Sequence, residues 1–145
     1  HKPELLILDE PTSSLDPVKR SEVLGFFQEY IENGDRSIIF SSHITSDIEH
    51  ICDYVIYINS GKLIFFEPTI KLLYEYGLVK CTKEIFNKIP KGSIMAYCSG
   101  NHHTSVLVNT RKDIENISGE ILIDNPTLEE IMNIYSKGEV YESTY

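Results

Sequence analysis

The sequence predicts an α/β fold with parallel strands over its first part, and three observations carry that prediction. Leu5–Leu8 is a continuous apolar run of strand length. Unbroken rather than alternating apolarity marks a strand covered on both faces, as in a parallel sheet. Asp16 followed by Pro17 is a helix start: an acid at the N-cap, then a proline at the first helical position, where its missing N–H is no loss. A second apolar run, Ser37–Phe40, follows that helix, so strand, helix and strand alternate as parallel connections require.

The first helix is expected to run to about Asn33, closed by Gly34, with Val23, Leu24, Phe27 and Ile31 on one face at helical spacing. After the second strand, Thr45 or Ser46 is expected to cap a short helix through about Ile51. Tyr54–Ile58 and Lys62–Phe66 read as the arms of a hairpin, because Asn59-Ser60-Gly61 supplies the glycine a tight turn needs. A helix from about Thr69 to Tyr76 should end at Gly77. Beyond it the pattern changes to short β-like runs at Leu78–Cys81, Ile94–Cys98, Ser105–Val108 and Glu120–Ile123. Helices are expected near Lys83–Lys88 and over Thr127–Tyr135, the latter with Thr127 and Glu130 as a capping box. Residues 136–145 are polar and expected to fray. The division expected is therefore 1–77 for the α/β part and 78–145 for a small α+β appendage with its tail.

Bulk composition sets bounds. The chain has 145 residues, 41% hydrophobic and 24% charged, enough apolar material for a core. Its net charge is -9 and its pI about 4.9, which disfavours unassisted binding to nucleic acid or to an anionic membrane surface. No apolar run approaches the about 20 residues of a membrane span, so no direct insertion is expected. Cys52, Cys81 and Cys98 are scattered and odd in number, without ligand spacing, and read as apolar fillers in a reducing compartment. His102-His103 has no acid or cysteine at ligand spacing and reads as a solvated loop. The chain begins at His1 and enters a strand by residue 5, which reads as the interior of something larger.

Two adjacent acids, Asp9 and Glu10, end the first strand. Ligands of open α/β sheets bind at the carboxyl ends of the strands. An acid there can hold a hydrated Mg²⁺, a hard cation that prefers oxygen, and its neighbour can orient or deprotonate a water attacking a phosphate. The same residues alone would also suit a solvated strand end carrying two ordinary surface acids.

The stretch L-L-I-L-D-E-P-T-S-S-L-D-P resembles the Walker B motif and D-loop of ABC transporter ATPases, and I-I-F-S-S-H, with its histidine 27 residues beyond Asp16, resembles the H-loop. D-I-E-H-I-C-D-Y-V-I-Y-I-N-S-G-K-L resembles the helix and hairpin that follow it in that family, and P-T-L-E-E-I-M-N-I-Y resembles the tail of ATPase subunits serving ABC-2-type exporters. The resemblance implies the C-terminal half of a P-loop NTPase parallel-sheet core. It implies that Asp9 binds Mg²⁺ through its water shell, Glu10 polarises the attacking water, and His43 contacts the γ-phosphate. Ser14 and Asp16 would face a nucleotide across a dimer interface, although for Asp16 a helix N-cap is already a complete local explanation. ATP and Mg²⁺ are the implied ligands. A membrane permease and a second ATPase copy are the implied partners, at the cytoplasmic face of the membrane.

No G-x-x-x-x-G-K-[ST], glutamine loop or LSGGQ-type signature occurs in these 145 residues. A Gly-rich loop and its lysine hold most of a triphosphate, so the chain alone is expected neither to bind MgATP tightly nor to hydrolyse it. Sheet edges left unpaired are expected to favour association. Three functional readings follow: part of an exporter ATPase, a truncated non-enzymatic remnant that binds a permease or a complete ATPase, and a soluble translation- or repair-type ABC protein. The ABC-2-like tail disfavours the third.

Overall fold

A computed structural model describes residues 3–32, 34–101, 103–111, 114 and 121–140. The chain forms two compact units, His1–Cys52 and Asp53–Tyr145. The division expected at Gly77 from the change in pattern falls inside the second unit, because the hairpin groups with the chain that follows it.

In the first unit, β1 (Leu5–Leu8) and β2 (Ser37–Phe40) pair in parallel, from Leu5 opposite Ser37 to Leu8 opposite Phe40. The ladder runs on at both ends, with Ser37 N–H donating to Glu4 O at 2.8 Å and Ser41 N–H to Leu8 O at 3.0 Å. Helix α1 (Pro17–Ile31) connects them, capped by Asp16 as expected: its Oδ1 accepts from Val18 N at 3.0 Å and Lys19 N at 3.1 Å. Val23, Leu24 and Ile31 are half-buried, and Phe27 is buried with its ring 5.9 Å from that of Phe40. Gly34, at φ +75°, follows the helix, its N–H donating to Ile31 O at 2.9 Å, while Asn33, the expected last helical residue, lies outside the described residues. Helix α2 (Thr45–Ile51) has its cap at least one residue earlier than expected. Ile44 is the N-cap residue, so neither Thr45 nor Ser46 caps it, and Ser42 Oγ instead accepts the Ile44 N–H at 3.0 Å.

Both strands half-bury only alternate side chains, with Ile7 74% and Ile39 56% exposed. Their unbroken apolarity led to an expectation of cover on both faces, which these residues lack.

In the second unit, β3 (Tyr54–Asn59) and β4 (Lys62–Pro68) form the expected hairpin. Ser60 and Gly61 both have positive φ, +49° and +74°, the turn whose twist matches that of the strands it joins. The helical stretch expected from Thr69 is there, but Lys71–Glu75 is wound as a wide π-turn. The rest is a five-stranded antiparallel sheet in the order β8 (Ile123–Asp124), β5 (Gly77–Cys81), β7 (Thr104–Val108), β6 (Ile94–Ser99), β9 (Glu139–Val140). Helix α3 (Lys83–Phe86) and a 3-10 turn (Lys91–Ser93) lie between β5 and β6. Val106, Leu107 and Val108 of the central strand are fully buried. Val106 and Val108 pack with Val79, Ile89, Ile94 and Ile114, while Leu107 alternates to the opposite side.

Helix α4 (Leu128–Lys137) buries Leu128, Ile131 and Ile134. Its capping box is as expected: Glu130 N–H donates to Thr127 Oγ1 at 3.1 Å and Thr127 N–H to Glu130 Oε2 at 3.0 Å. The sequence suggested fraying beyond residue 135. Instead α4 continues to Lys137, and Glu139 and Val140 pair with Tyr97 and Ala96. Gly138 makes that return possible, since a Cβ there would stand 2.2 Å from the Tyr97 carbonyl oxygen. Residues 141–145 of the expected tail, and Glu120 of the expected last strand, lie outside the described residues. The described sheets are thus mixed: one parallel pair, an antiparallel hairpin and an antiparallel five-stranded sheet.

The capping box has a measurable pH signature. Burial pushes the Glu130 carboxyl up, but the Thr127 N–H and the Lys80 ammonium outweigh it and leave the group below the ordinary carboxylate range. A carboxyl depressed by folding adds stability that is complete above its unfolded pKa and lost as pH falls through the folded one. Urea midpoints are expected to fall with acidification in that window, and Glu130→Gln to flatten that part of the profile. Thr127→Ala, which removes the cap, is expected to destabilise by about 1 kcal/mol in the same assay.

Candidate active site

The parallel register fixes where the chain leaves the sheet. With Leu8 opposite Phe40, Asp9 and Ser41 emerge side by side at one edge. Glu10 and His43 follow within a few residues.

Ser41 Oγ donates to Asp9 Oδ1 at 2.5 Å and accepts the Glu10 backbone N–H at 2.9 Å. Glu10 has φ +46°, left-handed backbone that residues with a Cβ seldom adopt. The chain therefore turns sharply at Glu10, and Ser13 closes the turn, its N–H and its hydroxyl both donating to Glu10 O, at 3.3 and 3.1 Å. The turn brings Glu10 Oε2 to 2.8 Å from His43 Nδ1. The His43 side chain is 69% exposed and that of Glu10 36%, so the pair faces outward. When Glu10 is ionised it accepts only, so Nδ1 carries a proton in this contact.

A second link lies beneath. Thr12 and Asp47 are 0% and 3% exposed, and Thr12 Oγ1 donates to Asp47 Oδ2 at 2.8 Å. Thr12 follows Glu10 in the turn and Asp47 stands in the first turn of α2, just beyond His43. This buried bond ties the Glu10 turn to the helix that begins after His43. Neither residue was singled out from sequence, nor was Ser41. The signal was there only in part: the spacing marked both loops, but not the hydroxyls joining them.

Three of the residues picked from sequence, Asp9, Glu10 and His43, thus sit at one strand edge. The other two do not share these bonds. Ser14 is exposed in the turn before α1, and Asp16 spends its Oδ1 on the helix N-terminus. His102 lies outside the described residues. Among the described residues no three His, Cys, Asp or Glu side chains cluster as a metal cage. One carboxylate with a neighbouring hydroxyl is a hard-oxygen donor set, which suits an ion that keeps most of its waters and takes further ligands from phosphate. Cys52, Cys81 and Cys98 are reduced thiols, and burial pushes the Cys81 thiol up, which keeps it protonated and unreactive.

Two acids and a histidine thus meet at the carboxyl ends of the parallel strands, and the relatives of the chain are ABC transporter ATP-binding proteins. Over 63 residues it is 43% identical to an uncharacterized ABC transporter ATP-binding protein, YxlF, of Bacillus subtilis, covering 43% of this chain and 21% of that one. Over 87 residues it is 38% identical to the lantibiotic transport ATP-binding protein SrtF of Streptococcus pyogenes, covering 60% of this chain and 34% of that one. Over 64 residues it is 42% identical to the bacitracin transport ATP-binding protein BcrA of Enterococcus faecalis, covering 44% and 21%. No family model matches the chain. The matched stretch spans about a fifth to a third of the length of these relatives, and over it the chain is similar to part of an ABC transporter ATP-binding protein. Among the described residues no helix is long and apolar enough to cross a membrane.

The buried link is expected to matter for stability. Thr12→Val keeps the shape but removes the hydroxyl that the Asp47 carboxylate accepts from, and is expected to cost about 1–3 kcal/mol. An unchanged urea midpoint would show that the link contributes nothing.

Proposed function

We propose that this chain is part of the ATP-hydrolysing subunit of an ABC exporter, contributing the acids and the histidine of the nucleotide site. The observation that carries the reading is the Glu10–His43 pair, 2.8 Å apart beside Asp9 at the ends of two parallel strands. The bottom-up chemistry of that edge and the family of the relatives support it independently.

In this reading Asp9 would hold Mg²⁺ through its water shell, and the bound ion would supply positive charge against the phosphates. Glu10 accepts a proton from the attacking water and orients it. His43 donates Nδ1–H to Glu10, which fixes the ring, and when the ring is doubly protonated its Nε2–H is the donor that a phosphate oxygen would accept. Ser14 and Asp16 act across an interface with a second copy, Asp16 also capping α1. The parallel pair is a portion of a larger P-loop sheet, and its exposed Leu5, Ile7 and Ile39 face is the face that sheet buries. Residues 78–145 form an accessory module. The whole subunit works at the cytoplasmic face of the membrane, driving a separate permease. Names of relatives that include lantibiotic and bacitracin transport support export of peptide-like compounds.

Lacking a Gly-rich cradle and its lysine, the 145-residue chain offers ATP two carboxylates and a net charge of -9. It is therefore expected neither to bind MgATP tightly nor to turn it over. Appreciable turnover by the pure chain, abolished by Glu10→Gln, would overturn that. Sequencing the encoding locus upstream of His1 tests the larger reading: an in-frame G-x-x-x-x-G-K-[ST] and an LSGGQ-like segment are expected. In a protein carrying them, Glu10→Gln should lower kcat by roughly 10²–10⁴, the usual worth of a general base, while nucleotide binding persists. An encoded product that starts near His1 would favour a non-enzymatic binding partner instead.

A further inference from the structure

One hydroxyl holds both acids of the site. Ser41 follows the last residue of β2, exposed, where a solvated serine would ordinarily bond to water. Instead its proton goes to Asp9 Oδ1 at 2.5 Å and its lone pair takes the Glu10 N–H at 2.9 Å. A hydroxyl has one proton to give, so the direction of both bonds is set: Asp9 as acceptor, Glu10 as donor.

The second bond matters because of the backbone it holds. At φ +46° Glu10 is in a conformation that a residue with a Cβ leaves unless its surroundings fix it. Were Glu10 to relax into extended backbone, it would continue β1, and its side chain would alternate to the face opposite that of Asp9. The contact with His43 depends on the kink. The first bond acts on Asp9 itself: a short bond from a neutral hydroxyl to a carboxylate fixes its rotamer and leaves Oδ2 as the oxygen outside that bond. The Ser41 backbone is in turn anchored by its N–H on Leu8 O at 3.0 Å, so the hydroxyl stands on the sheet rather than on a loop.

We propose that Ser41 is a positioning residue that locks Asp9 and the left-handed turn at Glu10, and thereby aims Glu10 at His43. The inference rests on the proposed role of Glu10 as the residue that orients water. Its geometric content can be judged without nucleotide.

The test is NMR on the 145-residue chain, comparing wild type, Ser41→Ala and Ser41→Thr. In Ser41→Ala the Glu10 amide is expected to exchange about fivefold to tenfold faster, the range one net hydrogen bond accounts for. The amides of residue 41 and of Arg20, which donate to Leu8 O and Asp16 O, should be unchanged. The His43 ring ¹⁵N shifts, read above its titration range, should move from the Nδ1–H tautomer toward the Nε2–H form as the Glu10 contact is lost. Ser41→Thr keeps the hydroxyl at an exposed position and should restore both signals. A general weakening of the strand would speed all of these amides together and would leave the Ala and Thr variants alike. The proposal fails if the Glu10 amide exchanges equally fast with and without the hydroxyl, if the His43 tautomer does not move, or if Thr does not rescue. These readouts need no ATP. A failed turnover test for Glu10→Gln would therefore remove the ATPase reading without touching them, and their failure would leave that test standing.

Discussion

The parallel pairing of β1 with β2 is the constraint on which the site depends. A register of Leu5 opposite Ser37 through Leu8 opposite Phe40 brings two chain segments, more than thirty residues apart, to the same sheet edge. A slip of one residue would turn every side chain of a strand to the other face. It would also carry Ser41 out of reach of Asp9. The apolar residues that set the register are therefore part of the chemistry, although none of them touches it. Phe27 on α1, packed on Phe40, holds the crossover helix against the strand that delivers Ser41 and His43.

From that edge outward, neutral hydroxyls govern charged groups. Asp9 and Glu10 are adjacent acids whose like charges repel. Ser41 separates their tasks by holding one through its side chain and the other through its backbone. Below them, Thr12 gives its proton to Asp47 and fastens the turn after Glu10 to the helix after His43. Both links run between segments, so each limits how far the Glu10 and His43 loops can drift apart. The proposed hydrolysis would need precision of this kind, since displacement by about 1 Å can cost two orders of magnitude in rate.

Much of this could be read in the sequence, and what could not has a physical pattern. Asp16-Pro17, Thr127 with Glu130, and the glycine of Asn59-Ser60-Gly61 were legible because caps and turns are local: the partner lies within a few residues. Asp9, Glu10 and His43 were legible as motif positions. Ser41, Thr12 and Asp47 were not, because bonds spanning 31 to 35 residues leave no periodic trace. The Thr45 or Ser46 cap was misread for a related reason. Both are good capping residues, yet Asp47 is drawn inward to Thr12, and α2 begins earlier, from Ile44. Strand β9 escaped notice because two residues carry no periodicity. It exists only because Gly138 lets the backbone pass close to Tyr97.

Continuous apolarity separates the two units most clearly, because the same signal has two origins. In β7, Val106-Leu107-Val108 is unbroken and fully buried, since a strand central to its sheet alternates between two covered faces. In β1, Leu5–Leu8 is equally unbroken, yet Ile7 is 74% exposed. Nothing in local chemistry favours a large aliphatic side chain in water: covering it would gain about 1.5–3 kcal/mol. β7 satisfies its pattern within this chain, whereas β1 and β2 carry the pattern of strands buried on both faces and half-bury one. The five-stranded sheet therefore closes its own core, while the parallel pair leaves Leu5, Ile7 and Ile39 exposed on one face. That asymmetry falls on the unit that bears Asp9, Glu10 and His43. In the proposed reading, a layer over Ile7 and Ile39 would bury that face, and further strands beside the pair would carry phosphate-binding loops to the same carboxyl edge.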